Sequence, residues 1–239
     1  MKLLAFETST EACSIAVWDG GALLERFEIA PRRHAELALP WAEALLAEAG
    51  LRKSQLDAIA VGRGPGAFTG VRLAIALAQG IALALDRPVL PVSTLAAIAM
   101  QGQAGPDAPG RVLAAIDARM GEVYAAAFLR TADGVQALSR EYVAAPATVA
   151  LPDDGAGWQG LGTGFGAADG ALLQALPGRW AHVDAAVLPH AADVARLAAA
   201  AFVRGEALAA EQLAPAYLRD NVALTLVEQR ALREAKAAG

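Results

Sequence analysis

GRGPGAFTGVR, residues 62–72, joins the end of one apolar run to the start of another. The run before it, residues 56–61, has the length and composition of a short buried strand, and the pattern after it predicts a helix over residues 69–85. Gly62, Gly64 and Gly66 tolerate the positive φ that side-chain-bearing residues resist, Pro65 stiffens the turn, and Thr69 is placed to cap the first free N–H groups. The shape is that of a phosphate loop, but the Lys-Ser/Thr ending that reaches the β and γ phosphates is missing. The loop is therefore expected to bring backbone close to a ligand or another chain, with little capacity for nucleotide chemistry.

Between Arg72 and Asp86 the helix carries no charge, and this run is shorter than the roughly 20 residues needed to span a bilayer. Such a helix is expected to be buried in protein. At i, i+4 spacing Gly70, Ala74, Ala78 and Ala82 make a stripe of small residues, while Leu73, Leu77, Ile81 and Leu85 make a bulky one. Two readings stay open: a central helix of an alanine-rich domain, or a helix covered partly by its own sheet and partly by a partner.

The 239 residues suffice for one large or two small domains, and 56% hydrophobic content leaves ample material for a core. A net charge of −5 argues against independent binding to nucleic acid, because phosphate neutralisation needs a concentrated basic surface. Cys13 is the single cysteine, so an intrachain disulfide is excluded, and no signal peptide or long apolar span is read. A cytoplasmic protein is expected.

Working outward from the loop, the chain reads as two copies of one unit at an offset of 110 residues. Residues 2–6 fall on 112–116, Glu7 on Asp117, and residues 13–18 on 123–128. Each copy reads strand, acidic residue, tight turn, strand; hairpin turns follow at Asp19-Gly20-Gly21 and Asp133-Gly134, with third strands over 22–29 and 135–143. The fold expected is a duplicated α/β domain with a cleft between lobes. Residues 1–103 form the first lobe, 111–220 a smaller second lobe, and 221–239 a helical tail, with a Pro/Gly-rich linker over 102–110. Further segments are a helix over 35–49 interrupted by Pro40, a strand over 89–92, a cap at Ser93, a strand ending near Leu161, and helices near 168–176 and 191–204.

Few side chains combine into chemistry. Glu7 and Asp117 are placed to flank the cleft, with Thr8, Ser9 and Thr10 capping the first turn and Gly162-Thr163-Gly164 forming a second glycine loop. Cys13, in a strand without a neighbouring histidine, reads as small buried filler. His34, His182 and His190 are too dispersed for a metal site, and His190, after Pro189, reads as a helix-start residue. No Gly-x-Ser-x-Gly elbow occurs.

A duplicated unit with acids at its first strand ends is the plan of the actin/hexokinase/Hsp70-like (RNase H-like) group, with mixed sheets flanked by helices. LLAFETSTEACSIAVW, RGPGAFTGVRLAIALAQGIAL, VSTL, AAIDARMGEVY and PAYLRDNVA together resemble the bacterial family of tRNA threonylcarbamoyladenosine biosynthesis proteins called TsaB or YeaZ, relatives of the glycoprotease-like TsaD. The resemblance runs nearly end to end.

That resemblance implies a noncatalytic activating subunit of the machinery that makes threonylcarbamoyladenosine (t6A) in tRNA. The catalytic paralogue TsaD transfers the threonylcarbamoyl group and holds a metal through a His-x-x-x-His pair, which this chain lacks. TsaD is the expected partner as a heterodimer and the P-loop ATPase TsaE a further one; tRNA is met only through the complex, and the chain pairs with itself when TsaD is absent. Where family members commonly carry Asp at the first strand end this chain has Glu7, whose extra methylene pushes its carboxylate outward. The docking surface is expected on helices 35–49 and 69–85, with Leu37, Trp41, Leu45, Gly70, Leu73, Ala74, Leu77, Ala78 and Ile81 facing the partner. No metal and no tight cofactor are expected, weak ATP or ADP binding at the subunit boundary being compatible; the cleft candidates are Glu7, Thr8, Ser9, Gly64, Gly66, Asp117, Gly162 and Gly164. The alternatives are a kinase-like phosphotransferase, which ATP turnover by the isolated chain would reveal, and a metallopeptidase, which metal analysis would reveal.

Overall fold

The computed structural model describes residues 1–105 and 110–219. In chain order the first unit runs β1 (Lys2–Glu7), β2 (Ala12–Asp19), β3 (Ala22–Ile29), α1 (His34–Glu48), β4 (Ala58–Gly62), α2 (Phe68–Leu85), β5 (Val89–Val92) and α3 (Thr94–Ala99). The second runs β6 (Gly110–Arg119), β7 (Glu122–Thr131), β8 (Gly134–Ala137), β9 (Tyr142–Ala144), β10 (Trp158–Leu161), α4 (Ala171–Ala175), β11 (Trp180–Asp184) and α5 (Ala191–Val203). The helical tail expected over 221–239 lies outside the described residues.

The first sheet has the order β3-β2-β1-β4-β5, with β1 antiparallel to β2 and parallel to β4. The second has the order β11-β10-β6-β7-β8, with β9 also on β7; β6 is antiparallel to β7 and parallel to β10. Allowing for the divided third strand, the two orders are one order repeated, which is the duplication expected. The parallel strand β4 is AIAVG with every residue buried, as a strand covered on both faces must be.

Two details of the repeat differ from the expectation. Glu7 faces Ser14 whereas Asp117 faces Val123, so the first strands match at an offset of 110 and the second strands at 123 − 14 = 109. The second turn is shorter by one residue and makes its reversal with Arg119, Met120 and Gly121 at φ 64°, 57° and 76°. The third strand expected over 135–143 is divided into β8 and β9, because Leu138 and Ser139 turn back onto Ala127: both donate their N–H groups to its carbonyl and the Ser139 hydroxyl accepts from its N–H. Sequence reading also missed β11, a short, partly exposed edge strand without a long apolar run.

The helices do not stay with the sheets they follow. α1 and α2 cover one face of the first sheet, where Leu4, Phe6, Ile15, Ala38, Leu45, Ala74 and Ala78 share a core. The opposite face is covered by α5, whose Ala191, Val194, Ala195 and Ala198 pack on Leu3, Ala5, Ala60 and Leu90. Reciprocally α3 places Leu95 and Ile98 against Val112, Ile116 and Phe128 of the second sheet. Leu208 exchanges backbone hydrogen bonds with Val89, and Ala210 and Leu213 enter the first core. The boundaries 1–103 and 111–220 therefore cut the chain by sequence and not by packing, since residues 191–213 complete the first lobe.

α1 begins at His34 and runs through Pro40, so the interruption expected at the proline does not occur. Ser93 caps α3 as expected, its hydroxyl accepting from the Ala96 N–H at 3.0 Å. Near residues 168–176 the helix shortens to α4, because Ala168 and Asp169 hold positive φ.

Candidate functional site

The loop 62–70 makes its close approach to its own chain. A methyl group on Gly62 would overlap the Glu7 carboxylate, one on Gly66 would overlap Ser9, and one on Gly70 would overlap the Thr8 carbonyl. Of the three glycines given a positive φ in the sequence reading, only Gly64 has one, at 91°. Gly62 and Gly66 are there for space instead. The loop is held down by the Ala67 N–H donating to the Ser9 carbonyl at 2.7 Å and the Thr8 hydroxyl donating to the Gly70 carbonyl at 2.8 Å. Thr69 does not cap α2: the helix starts one residue earlier with Ala67 at the cap position and no side chain accepting there.

This packing turns the first acid inward. Glu7 is buried, accepts from the Ser9 N–H at 2.7 Å and from the Thr94 hydroxyl at 3.1 Å, and burial pushes its carboxyl above the usual carboxylate range despite those hydrogen bonds. The second lobe repeats the device with different atoms. Gly162, at φ 105°, and Gly164 lie where a methyl group would overlap Ala115, and the Thr163 hydroxyl accepts from the Asp117 N–H at 3.1 Å. Asp117 remains at the surface of the cleft, paired with Arg119 at 2.8 Å.

Between the lobes lies a cavity of about 690 Å³. Of the cleft candidates, Ser9, Gly66 and Asp117 line it; Glu7, Thr8, Gly162 and Gly164, which dock each glycine loop onto the neighbouring strand end, and Gly64, which packs against Val71, do not. Sequence reading missed the cations of this cavity, Arg32, Arg72, Arg119 and Arg219, which come from four separate segments. Arg72 stacks over Phe68 at 3.2 Å and donates to the Tyr217 hydroxyl at 2.6 Å, and Arg219 pairs with Glu122. Among the described residues no three His, Cys, Asp or Glu side chains are grouped to hold a metal.

The residues assigned to a docking surface divide sharply. Gly70, Ala74 and Ala78 are buried against the first sheet, and Leu37 and Leu45 lie in cores, so none of these five offers a free surface in this chain. Small residues there let α2 sit close to its own strands. Trp41, Leu73, Leu77 and Ile81 are half-buried. The outward face of α2 is instead Phe68, Ala76, Gly80, Leu83 and Ala84, with Phe68 and Leu83 68% and 65% exposed. At 18 residues with mean hydropathy 1.7 the helix is long and apolar enough to cross a membrane, yet its inner face belongs to the first core.

A second polar cluster joins β2 and β3 to α5. The Ala191 and Ala192 N–H groups donate to the Ser14 hydroxyl at 2.8 Å and the Glu25 carboxylate at 3.0 Å, so two strand residues cap a helix that His190 begins without capping. His190 Nδ1 lies 3.0 Å from Glu25, and Phe27 stacks on the imidazole with ring centroids 4.1 Å apart. The hydrogen bond between them raises the His190 pKa, and bonds from His190, Ala192 and Ser14 outweigh burial to lower that of Glu25. Cys13 is fully buried in β2 and burial pushes its thiol up to about 11, so it is inert filler as read.

The chain is similar to known proteins in sequence and fold. Residues 27–161 match the family model of TsaD, tRNA N6-adenosine threonylcarbamoyltransferase. The chain is 40% identical over 233 residues to the tRNA threonylcarbamoyladenosine biosynthesis protein TsaB of Escherichia coli K12, covering 93% of this chain and 96% of that protein. Its counterpart in Haemophilus influenzae is 38% identical over 93% and 95% of the two chains. The solved structure of YeaZ from Pseudomonas aeruginosa superposes with a TM-score of 0.83 at 48% identity, covering 91% of this chain and 99% of that one. The duplicated lobes are thus those of the actin/hexokinase/Hsp70-like fold.

Proposed function

We propose, from the premise that this chain belongs to the TsaB family of tRNA threonylcarbamoyladenosine biosynthesis proteins, that it is the noncatalytic activating subunit which docks onto TsaD in the cytoplasm. The observation that carries this reading is the outward face of α2: Ala76, Gly80, Leu83 and Ala84, with no charged residue between Arg72 and Asp86, and beyond Arg72 the exposed Phe68 under its guanidinium. Water solvates such a face poorly, and burying it against a complementary helix recovers roughly 25 cal/mol for each Å² of apolar surface removed. Leu73, Leu77 and Ile81, half-buried on the same helix, flank this surface.

The noncatalytic part of the reading rests on the first acid. A carboxylate engaged by the Ser9 amide and the Thr94 hydroxyl inside the lobe has no path to a substrate in the cavity. The same docking face accounts for self-pairing when TsaD is absent, with TsaE and tRNA joining only in the complex. The test is reconstitution: the purified chain, TsaD, TsaE, the threonylcarbamoyl-adenylate and tRNA are combined and each is omitted in turn. Modified tRNA is expected only with TsaD present, with this chain raising its yield; product formed by this chain without TsaD would overturn the proposal.

A further inference from the structure

The segment after Leu213 leaves the first core and crosses the mouth of the cleft. The Ala216 N–H donates to the Arg63 carbonyl at 2.9 Å, and Arg72 of the first lobe donates to the Tyr217 hydroxyl at 3.1 and 2.6 Å. Two residues later Arg219 donates to the Ala118 carbonyl at 3.2 Å and pairs with Glu122, both on the β6–β7 turn of the second lobe. Residues 215–219 all line the cavity. Gln79 fixes the start of the segment by donating to the Ala210 and Leu213 carbonyls at 3.0 and 3.2 Å.

We propose that residues 215–219 are an intramolecular strap that latches the two lobes across their cleft, and that the Arg72–Tyr217 contact ties this latch to the outward face of α2. The strap grips one lobe by backbone and aromatic contacts and the other by Arg219, whose Nη2 donates to both the Ala118 carbonyl and the Glu122 carboxylate, so opening the cleft requires one end to let go. Arg63 adds a second bridge between lobes, to Glu141 at 2.9 Å. Tyr217 is 59% exposed and adjoins Arg72, whose guanidinium covers Phe68 and marks the N-terminal edge of the uncharged face. This inference rests on the docking reading for its partner: a protein seated on α2 would meet Phe68 and Tyr217 together, and so would stabilise the latched state.

Hydrogen–deuterium exchange on the intact chain, without any partner, tests the latch. Arg219→Ala and Tyr217→Ala are expected to speed exchange at least ~10-fold in peptides covering the Ala216 amide and the turn at Ala118–Glu122, leaving β4 and β10 unchanged. Arg72→Gln, a change in the first lobe, is expected to speed exchange at the same turn of the second lobe. Rates in the turn within twofold of wild type for Arg219→Ala would overturn the strap. An effect of Arg219→Ala without one of Arg72→Gln would overturn its connection to α2, and acceleration spread evenly over β4 and β10 would replace the latch by a loss of global stability. Because TsaD is not in the experiment, failure of the docking proposal is read separately, from binding.

Discussion

Glu7 lies against Gly62, with its carboxylate filling the space in which a side chain at that glycine would begin. A buried acid and a glycine on neighbouring strands therefore form one packing unit. Gly62→Ala must either displace the carboxylate from the Ser9 amide or strain β4, and is expected to cost about 2–4 kcal/mol. Gly70→Ala, which meets the Thr8 carbonyl, is expected to cost as much. Gly80→Ala is the control: nothing lies within 4 Å of its added methyl group, and mid-helix Ala over Gly is expected to stabilise the chain by about 0.5–1 kcal/mol. Urea unfolding of the three variants is the measurement, and a neutral Gly62→Ala would contradict the packing.

Glu7 also sets a pH dependence. Its folded pKa is raised above about 4.5, so the fold favours the neutral acid and burial of the charged form opposes folding. The sign follows from linkage: its contribution is most favourable at and below pH 4.5 and declines as pH rises from there through the folded pKa. Glu7→Gln, able to accept from Ser9 and donate to Thr94, is expected to remove that decline and to be more stable than wild type at neutral pH. Unfolding free energies between pH 4 and 8 check this, and parallel curves for the two proteins would refute it.

The cap of α5 titrates on both limbs, His190 in the same direction as Glu7 and Glu25 in the opposite one. His190 has a raised pKa, so its contribution is fully present below its unfolded value near 6.5 and is lost as pH rises through the folded pKa. Glu25 has a lowered pKa, so its contribution is present above about 4.5 and is lost as pH falls through the folded value. Asp193, its carboxyl raised by burial and paired with Arg196 at 2.7 Å, faces the same cluster. His190→Gln is expected to flatten the upper limb, by on the order of 1 kcal/mol for a half-exposed pair. The observable is the pH dependence of the unfolding midpoint from pH 5 to 8.

The two faces of α2 are expected to respond differently to one substitution. Gly80→Arg and Leu83→Arg, on the outward face, should melt within about 2 °C of wild type and weaken association with TsaD at least ~10-fold, or about 1.4 kcal/mol. Ala74→Arg places a cation in the first core and is expected to prevent folding. Titration calorimetry with TsaD beside a thermal melt separates the cases. Full-strength binding by the outward variants would remove this helix from the interface.

Local periodicity determined much of this molecule. The hairpins, a helix over 69–85 that the structure starts one residue earlier, the Ser93 cap and the order of the repeat are written in nearest-neighbour patterns, because alternation and glycine placement act over a few residues. The motifs around the glycine loop and the second hairpin likewise carried the family. Only the tertiary structure decided which stripe of α2 is free: Ala74 and Ala76 are alike in chemistry, and the rotation of the helix against β4 buries the first and exposes the second. It also decided that the glycine loop packs on Glu7, Thr8 and Ser9 of its own chain, and that Ser14 and Glu25, on strands more than 160 residues earlier, cap α5. Those relationships join positions remote in the chain, where no short-range pattern can encode the pairing.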